Sequence, residues 1–312
     1  MCDNFFAVCI NYNRDLIPKI TTGGHYMAIP FSNKAQLVYK GTVTSSNTVT
    51  GEIIDTVSVT KSTLGSSYSE GGKMTFIISI ANAGNTAYND ITVTDDLGGY
   101  QFAGQNVVPL TFESGSARLF SNGQLTAPAP LIPQSVSPLV FSGITIPANG
   151  NVLIVYEARA NSFAPLGAGQ SITNTAALTG SGLVGDISGT SNTVFSEEPI
   201  LSIVKSLEPT QVADNGTVTY EFTIENRGAS AVAATDDTVV EDTFAPILEN
   251  ISVSFNNTPW TAAANYSYNS TTGAFATTAG AITVPAAQYT QNTDGSWNVE
   301  PGRSVLTISG TI

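Results

Sequence analysis

The sequence predicts an all-β protein: two tandem antiparallel, immunoglobulin-like β-sandwiches with an N-terminal extended arm and donor strands. Three observations lead to this prediction. Apolar and polar residues alternate through many short runs, as they do in half-buried strands. Asn-x-Gly and Gly/Pro clusters separate these runs in the manner of turns. The long runs also occur twice along the chain, so one sandwich module is repeated.

Composition favours strands over helices. Only 11% of the residues are charged, against about a quarter in an average domain. Hydrophobic residues make up 42% of the chain, which is enough for a core. Small and polar residues such as Thr, Ser, Asn, Gly and Ala are abundant, whereas helices favour Glu, Lys, Leu and Arg.

The two copies align through a lysine in the first strand of each. Lys61 of TVSVTKS is followed eleven residues later by Gly72, which opens GKMTFIISIANAG. Lys205 of LSIVKSL is followed at the same spacing by Gly216, which opens GTVTYEFTIENRG. Further matches pair ITVTDDL with TVVEDTF and VLIVYEA with VLTISGT.

The repeat divides the chain into four parts. We expect an N-terminal arm at 1–30, a donor-strand segment at 31–53, a first sandwich at 54–197 and a second at 198–312. After VLIVYEA the first copy continues through ITNTAALTG and ISGTSNTV. The second copy has no counterpart of these two closing strands, so we expect the second sandwich to be incomplete.

A counterpart of the closing strands lies near the start of the chain. SNKAQL matches TNTAAL, and SSNTV matches TSNTV, so Asn33 aligns with Asn174. Every second residue of this segment lies on the same side of an extended strand, so these residues would face a core together. The predicted donor-strand contacts are Phe31, Ala35, Leu37 and Val49.

An incomplete sandwich exposes an apolar cleft and unpaired strand edges, which favour the addition of a strand. We therefore expect residues 31–51 of one subunit to complete the 198–312 domain of the next. Such a head-to-tail contact does not close by two-fold symmetry and generates a filament. The predicted partner is thus the protein itself, as a homopolymer.

Four features of the chain resemble the conserved-repeat domain of bacterial and archaeal surface proteins, the "domain of unknown function eleven". They are the first-strand lysine, the strand that ends in Asn-x-Gly, the VTDDL strand and the ITNTA strand. The resemblance covers about residues 54–312 and implies a spacer or structural module. The start without a basic n-region and the cysteine-bearing arm are also similar to clostridial spore-appendage proteins. These resemblances imply an extracellular location, on the surface of a cell or spore.

Charge and hydropathy argue against two classes of partner. The net charge is −13 and no basic cluster is present, so a nucleic-acid partner is not expected. No apolar run approaches the roughly 18 residues of a membrane-spanning helix. No residue pattern points to a particular surface receptor.

We predict no turnover enzyme, no cofactor and no metal site. His25 is the only histidine, and no acid or nucleophile motif lies beside it. The chain contains no P-loop, dinucleotide-binding or HExxH motif. Asp95–Asp96 and Asp236–Asp237 belong to no calcium loop, and we interpret them as strand-end or solvated carboxylates.

Two groups of residues leave alternatives open. Cys2 and Cys9 are either free buried thiols or intersubunit disulfide partners, and disulfides require an oxidising location. Five aromatic residues of the second copy either pack between strands or form a sugar-binding face: Trp260, Tyr266, Tyr268, Tyr289 and Trp297. Besides a fibre subunit, the sequence therefore allows a fragment of a longer modular adhesin or stalk, or a glycan-binding module.

One group of polar residues in the first copy has the potential for a covalent reaction. By parity Lys61, Asp95 and Asn174 all face the core of the first sandwich, where polar groups are costly unless paired or neutral. The trio is either a buried ion pair with an amide hydrogen-bonded to it, or the site of a spontaneous Lys–Asn isopeptide bond. Such bonds are known in Gram-positive surface β-sandwiches. Burial would lower the pKa of the lysine, and its neutral amine could then attack the carboxamide and release ammonia.

The same reasoning extends to the second copy. Lys205 and Asp242 occupy the matched positions, and the donor segment supplies Asn33. We expect Asn33 of one subunit to lie opposite Lys205 and Asp242 of its neighbour. An isopeptide bond at this point would join subunits covalently.

Overall fold

The computed structural model describes residues 28–54 and 56–312 of the chain. Among them, regular secondary structure consists of β-strands and one 3-10 turn at Ala234–Asp236. The strands form a hairpin followed by two sandwiches, each built around its own apolar core. The predicted all-β sandwich class is therefore confirmed.

The hairpin precedes the first sandwich and has no cover from it. Lys40 and Gly41 both have positive φ at its tip, as a two-residue hairpin turn requires. Every residue from Pro30 to Thr50 is exposed. An isolated two-stranded hairpin is only marginally stable in water. Its strands are β1 (Ala28–Asn33), β2 (Gln36–Tyr39), β3 (Thr42–Ser45) and β4 (Val49–Ile54), with β1 paired to β4 and β2 to β3.

The hairpin is interrupted between Asn33 and Gln36. The Ala35 N–H donates to Ser46 Oγ at 2.9 Å, and the Ser46 N–H donates to the Ala35 carbonyl at 2.8 Å. Two residues of one arm here face three of the other, so the pairing register shifts by one, as at a β-bulge. The extra residue lies on the arm that carries Val49, because Asn33 pairs with Val49 whereas Ala35 pairs with Ser46.

The first sandwich consists of two six-stranded sheets. Its strands are β5 (Val57–Leu64), β6 (Ser67–Tyr68), β7 (Lys73–Asn82), β8 (Tyr88–Asp95), β9 (Tyr100–Phe102), β10 (Gln105–Val107), β11 (Leu110–Phe112), β12 (Arg118–Ser121), β13 (Gln124–Leu125), β14 (Ser135–Val136), β15 (Leu139–Ile146), β16 (Gly150–Ala160), β17 (Ser171–Thr179) and β18 (Ile187–Phe195). One sheet has the order β13-β12-β16-β7-β5, with β11 also paired to β16. The other has the order β14-β15-β8-β17-β18-β6. The closing strands β17 and β18 thus extend the second sheet beyond β8.

The second sandwich has a five-stranded sheet opposite a smaller one. Its strands are β19 (Leu201–Glu208), β20 (Thr217–Asn226), β21 (Glu241–Thr243), β22 (Glu249–Phe255), β23 (Thr258–Trp260), β24 (Tyr266–Tyr268), β25 (Ala274–Thr277), β26 (Gln288–Gln291), β27 (Trp297–Glu300) and β28 (Gly302–Thr311). The larger sheet has the order β19-β20-β28-β22-β23, and the smaller has the order β21-β25-β24. β26 and β27 form a separate hairpin.

Ladder registers align the two modules residue by residue. Phe76 lies opposite Tyr156 in the β7–β16 ladder, and Tyr220 lies opposite Ile308 in the β20–β28 ladder. Tyr156 therefore corresponds to Ile308. The sequence match of VLIVYEA with VLTISGT is wrong by one residue, because GNVLIVYEA corresponds to GRSVLTISG.

The buried asparagine of each Asn-x-Gly motif ties a strand end to two loops. Asn226 Oδ1 accepts from the N–H groups of Ile200 and Gly228, and its Nδ2 donates to the carbonyls of Ser230 and Pro285. Asn82 contacts the equivalent glycine N–H and two loop carbonyls in the first sandwich. The motif is therefore structural, because its buried amide groups all have partners.

The β26–β27 hairpin packs against the first sandwich. The Tyr289 ring contacts Phe195 edge-on at 5.5 Å between centroids, and the backbone N–H of Trp297 donates to the Ser162 carbonyl at 2.7 Å. Arg227 forms a two-pronged ion pair with Glu70, the shortest contact being 2.7 Å. These contacts join the two sandwiches through apolar and ionic interactions together.

Candidate functional site

A lysine–aspartate pair lies in the centre of the first sandwich. β5 carries Lys61 and β8 carries Asp95, and strand alternation turns both side chains inward. Lys61 Nζ lies 2.6 Å from Asp95 Oδ2, and both side chains are fully buried. Tyr156 Oη donates to the same Oδ2 at 2.7 Å, while the Leu97 N–H donates to Oδ1 at 3.0 Å. Both oxygens of the buried carboxylate therefore have partners.

Asn174 of β17 completes this first centre. Its Nδ2 donates to Tyr156 Oη at 3.1 Å, and its Oδ1 accepts from the Gly98 N–H at 3.2 Å. The Gly98 N–H is shared with Asp96 Oδ1 at 2.9 Å. The structure thus brings together Lys61, Asp95 and Asn174, with Tyr156 between the carboxylate and the amide.

Sequence reasoning missed Tyr156. The residue lies in a strongly alternating strand, on the same face as the buried Val152, Ile154 and Ala158. A hydroxyl group on a core face requires a polar partner, and this requirement could have indicated from the sequence that Tyr156 belongs to the buried polar centre.

Burial changes the acid–base properties of the first centre. Desolvation lowers the pKa of Lys61 from 10.5 to about 8, although the neighbouring Asp95 and Asp96 charges oppose this shift. Burial, followed by the charge of Asp95, raises the pKa of Tyr156 well above its usual value. A neutral lysine amine is therefore accessible near neutral pH, while Tyr156 keeps its proton.

A second centre lies in the second sandwich at the matched positions. Lys205 Nζ is 2.5 Å from Asp242 Oδ2, and the rings of Tyr220, Phe222 and Phe244 lie around the ammonium at 4.5 to 5.3 Å. The Lys205 side chain is 38% exposed, whereas the Lys61 side chain is completely covered. The difference arises because no strand equivalent to β17 or β18 is present among the described residues of this sandwich.

The missing strands leave an open cleft, which we define by the inner face of β19 and the free edge of β21. β8 pairs with β15 on one side and β17 on the other, but β21 pairs with β25 alone. Leu201 of β19 is 44% exposed, whereas its counterpart Val57, on the strand that faces β18, is 6% exposed. Ile203, on the same face as Leu201, is also exposed. Apolar side chains therefore line an uncovered sheet edge.

The predicted donor residues lie in the exposed hairpin rather than in this cleft. Asn33 ends β1, and Phe31, Leu37 and Val49 are exposed apolar side chains. No hydrogen bond within the described ranges connects Asn33 to Lys205 or Asp242. Ala35 lies at the bulge. Cys2, Cys9 and His25 lie outside the described residues.

The five aromatic residues of the second copy are engaged in packing. Tyr266 stacks on Phe275, and Trp260 stacks on Phe255. Tyr268 Oη donates to the Leu248 carbonyl at 2.8 Å. Tyr289 and Trp297 belong to the contact with the first sandwich.

The aspartate pairs accept backbone hydrogen bonds. Asp96 Oδ1 accepts from the N–H groups of Gly98 and Thr175, and Asp236 Oδ2 accepts from the Ala233 N–H. Residues 28–54 and 56–312 contain no group of three His, Cys, Asp or Glu side chains that could hold a metal ion. Over the same ranges, no helix is long and apolar enough to cross a membrane.

No protein-family model matches this sequence, and no curated protein matches it. Among solved structures, BcpA, the major pilin subunit of Bacillus cereus, is 13% identical with a TM-score of 0.34, covering 70% of this chain and 75% of its own. The type II cohesin dyad of the adaptor ScaA scaffoldin from Acetivibrio cellulolyticus is 10% identical, with a TM-score of 0.24 and coverages of 81% and 85%. A family 123 glycoside hydrolase from Clostridium perfringens is 10% identical with a TM-score of 0.26, matches 44% of this chain, and has only 27% of its own length matched. These scores are too low to carry a functional conclusion.

Proposed function

We propose that this protein is a structural subunit of a self-assembling extracellular fibre on a cell or spore surface. The hairpin of one copy completes the second sandwich of the next copy, head to tail. The observation that carries the proposal is the contrast between Val57, at 6% exposure in the completed sandwich, and Leu201, at 44% in the open one. The hairpin that carries the matching pattern is itself uncovered.

The acceptor side has the geometry for strand addition. In the first sandwich, Ala176 of β17 lies opposite Asp95 of β8. In the second, Asp242 has a partner, Phe275, on one side only. A strand added to the free edge of β21 would supply main-chain hydrogen bonds and cover the β19 face at the same time.

The donor side supplies the matching residues. With Ala35 in the place of Ala176, Asn33 takes the place of Asn174 and Leu37 that of the buried Leu178. The bulge at Ala35 straightens on insertion, because β17 is continuous through the equivalent positions. At one position the match departs from the first sandwich. Gly189, whose Cα approaches the backbone of β5, lies opposite Ala176, whereas the hairpin residue opposite Ala35 is Ser46. The second inserted strand therefore lies further from β19 than β18 lies from β5.

Insertion would also place the Asn33 carboxamide beside Lys205 and Asp242. It would also take the exposed part of the Lys205 side chain out of water, as is already the case for the Lys61 side chain. The Lys205 amine can then attack Asn33 Cγ, forming an amide and releasing ammonia. Each bond is made once, so in this proposal the protein is not a turnover enzyme.

The alternative functions have less support. A glycan-binding module needs exposed aromatic platforms, whereas the five aromatic residues of the second copy pack within the described fold. In a longer adhesin or stalk, other residues of the same chain would fill the cleft, and the hairpin would not be needed for assembly.

A deletion tests the proposal. A chain without residues 1–51 retains the cleft and lacks the donor strands, so negative-stain microscopy should show no filaments. Added in small amounts to the full chain, it should bind a free donor end and shorten the filaments. A synthetic peptide of residues 28–54 should also block assembly, whereas the same peptide with Phe31→Asp should not. Normal filaments from the truncated chain would refute the proposal.

A further inference from the structure

The first centre contains a hydroxyl group that a lysine–asparagine cross-link does not formally require. Tyr156 Oη lies 2.7 Å from Asp95 Oδ2 and 3.1 Å from Asn174 Nδ2. Lys61 Nζ lies 2.6 Å from the same Asp95 oxygen. No direct hydrogen bond joins Lys61 to Asn174 in the described structure. A continuous chain of contacts therefore runs from the amine, through the carboxylate and the phenol, to the amide nitrogen.

We propose that Tyr156 is a catalytic residue of an intramolecular Lys61–Asn174 isopeptide reaction, in which its hydroxyl delivers a proton to the departing amide nitrogen. This inference rests on the cross-linking chemistry of the proposed function and not on filament formation. It assigns a role to a residue in direct contact with the leaving group.

The orientation of Asn174 supports this role. Its Oδ1 must face the Gly98 N–H, which can only donate, so Nδ2 faces Tyr156. Gly98 has a φ of +73°, and a Cβ there would lie 2.6 Å from Ile172 Cγ2. Only glycine therefore brings its N–H this close to the amide without displacing neighbours.

The proton inventory balances. Lys61 reacts as a neutral amine with two protons, and its nitrogen forms a bond to Asn174 Cγ. One proton remains on the new amide nitrogen, and the other passes to Asp95 Oδ2. Nδ2, now pyramidal, accepts the Tyr156 proton as the Cγ–Nδ2 bond breaks and ammonia leaves. Tyr156 regains a proton from Asp95, which returns to its carboxylate form.

The second centre offers a matched comparison. The position of Tyr156 is occupied there by Ile308, and the position of Phe76 by Tyr220. Tyr220 Oη makes no hydrogen bond with any described residue. Tyr220→Phe therefore removes a phenol hydroxyl from the protein and leaves the first centre untouched.

The experiment follows bond formation during refolding. The full chain is isolated in urea from inclusion bodies, before it has folded and linked, then diluted into buffer, quenched with acid at intervals, and analysed by intact mass and peptide mapping. Wild type should lose one ammonia as the Lys61 and Asn174 peptides become linked. Tyr156→Phe keeps the stacked contact with Phe76, and should slow linkage about 100-fold or more. Tyr220→Phe should link at the wild-type rate, and Lys61→Met should not link.

Several outcomes would overturn the inference. Linkage of Tyr156→Phe at the wild-type rate refutes the role of the hydroxyl. Absence of any Lys61–Asn174 bond in wild type also refutes it, while filaments that depend on residues 28–54 would leave the proposed function intact. If Tyr156→Phe fails to fold by near-UV circular dichroism, fluorotyrosine at position 156 changes the acidity of the phenol with little change in size. An unchanged rate with that residue refutes the inference as well.

Discussion

Truncation of Phe31 should weaken filament assembly, because this ring is the largest apolar side chain that the hairpin offers to the cleft. Phe31 is 50% exposed in the free hairpin, whereas its counterpart in the completed first sandwich, Ile172, is 2% exposed. Insertion thus buries about half of the ring. Phe→Ala in a full core costs about 3–5 kcal/mol, so we expect Phe31→Ala to cost about 2 kcal/mol at this half-buried site. That cost corresponds to roughly a 30-fold weaker contact.

Val38→Ala is the matched control. Val38 is also exposed in the free hairpin, but its counterpart Thr179 is exposed in the completed sandwich. It should therefore remain at the surface of the filament. We expect the Val38→Ala substitution to change the contact by less than about 0.5 kcal/mol, as surface changes do.

The assay is the critical concentration for assembly, measured by pelleting and negative-stain microscopy. Both substitutions are made in a Lys205→Arg background, in which the charge beside Asp242 is kept and no amide can form. Phe31→Ala should raise the critical concentration by roughly 30-fold, while Val38→Ala should leave it nearly unchanged. Equal effects of the two substitutions would show that the predicted inward face of the donor strand is wrong.

Three further predictions address other parts of the account. Filaments of the Lys205→Arg variant should dissolve to monomers in hot detergent, whereas wild-type filaments should give a ladder of covalent oligomers on a gel. A ladder from the variant would show that the cross-link does not use Lys205. The rate of Lys61–Asn174 linkage during refolding should rise about tenfold per pH unit and level off above a pH of about 8. The reason is that burial lowers the pKa of Lys61, which faces Asp95 and Asp96, to about 8, and only the neutral amine attacks. A rate that falls above pH 8 would instead require a proton shared between Lys61 and the Asp95 carboxylate. Asn226→Ala should destabilise the second sandwich by about 3 kcal/mol in urea unfolding, because two backbone N–H groups and two carbonyls lose partners. A loss of unfolding free energy below about 0.5 kcal/mol, typical of surface changes, would contradict this structural role of Asn226.

Strand alternation made part of the first centre predictable. A period of two residues determines which side chains share a face, so the inward placement of Lys61, Asp95 and Asn174 follows from parity alone. The role of Tyr156 does not follow from parity, because it depends on how far a phenol reaches across the core between two sheets. A glycine at position 98 likewise gains its meaning from the approach of Ile172, which belongs to a distant strand.

Register was harder to predict than strand identity. Matching VLIVYEA to VLTISGT by their shared Val and Leu sets the two strands one residue out of register. A slip of one residue exchanges the two faces of a strand, and it concealed the replacement of Tyr156 by Ile308. The bulge at Ala35 was also missed, since it depends on the Ser46 side chain of the opposite arm, whose Oγ accepts from the Ala35 N–H.

In the proposed filament, the hairpin of one copy completes the second sandwich of another. A map of the assembled filament by electron cryomicroscopy would show this contact. We expect continuous density for residues 28–54 of one copy between β19 and β21 of the next, with Asn33 beside Lys205 and Asp242. A cleft that is empty, or that is filled by any other segment, would contradict it.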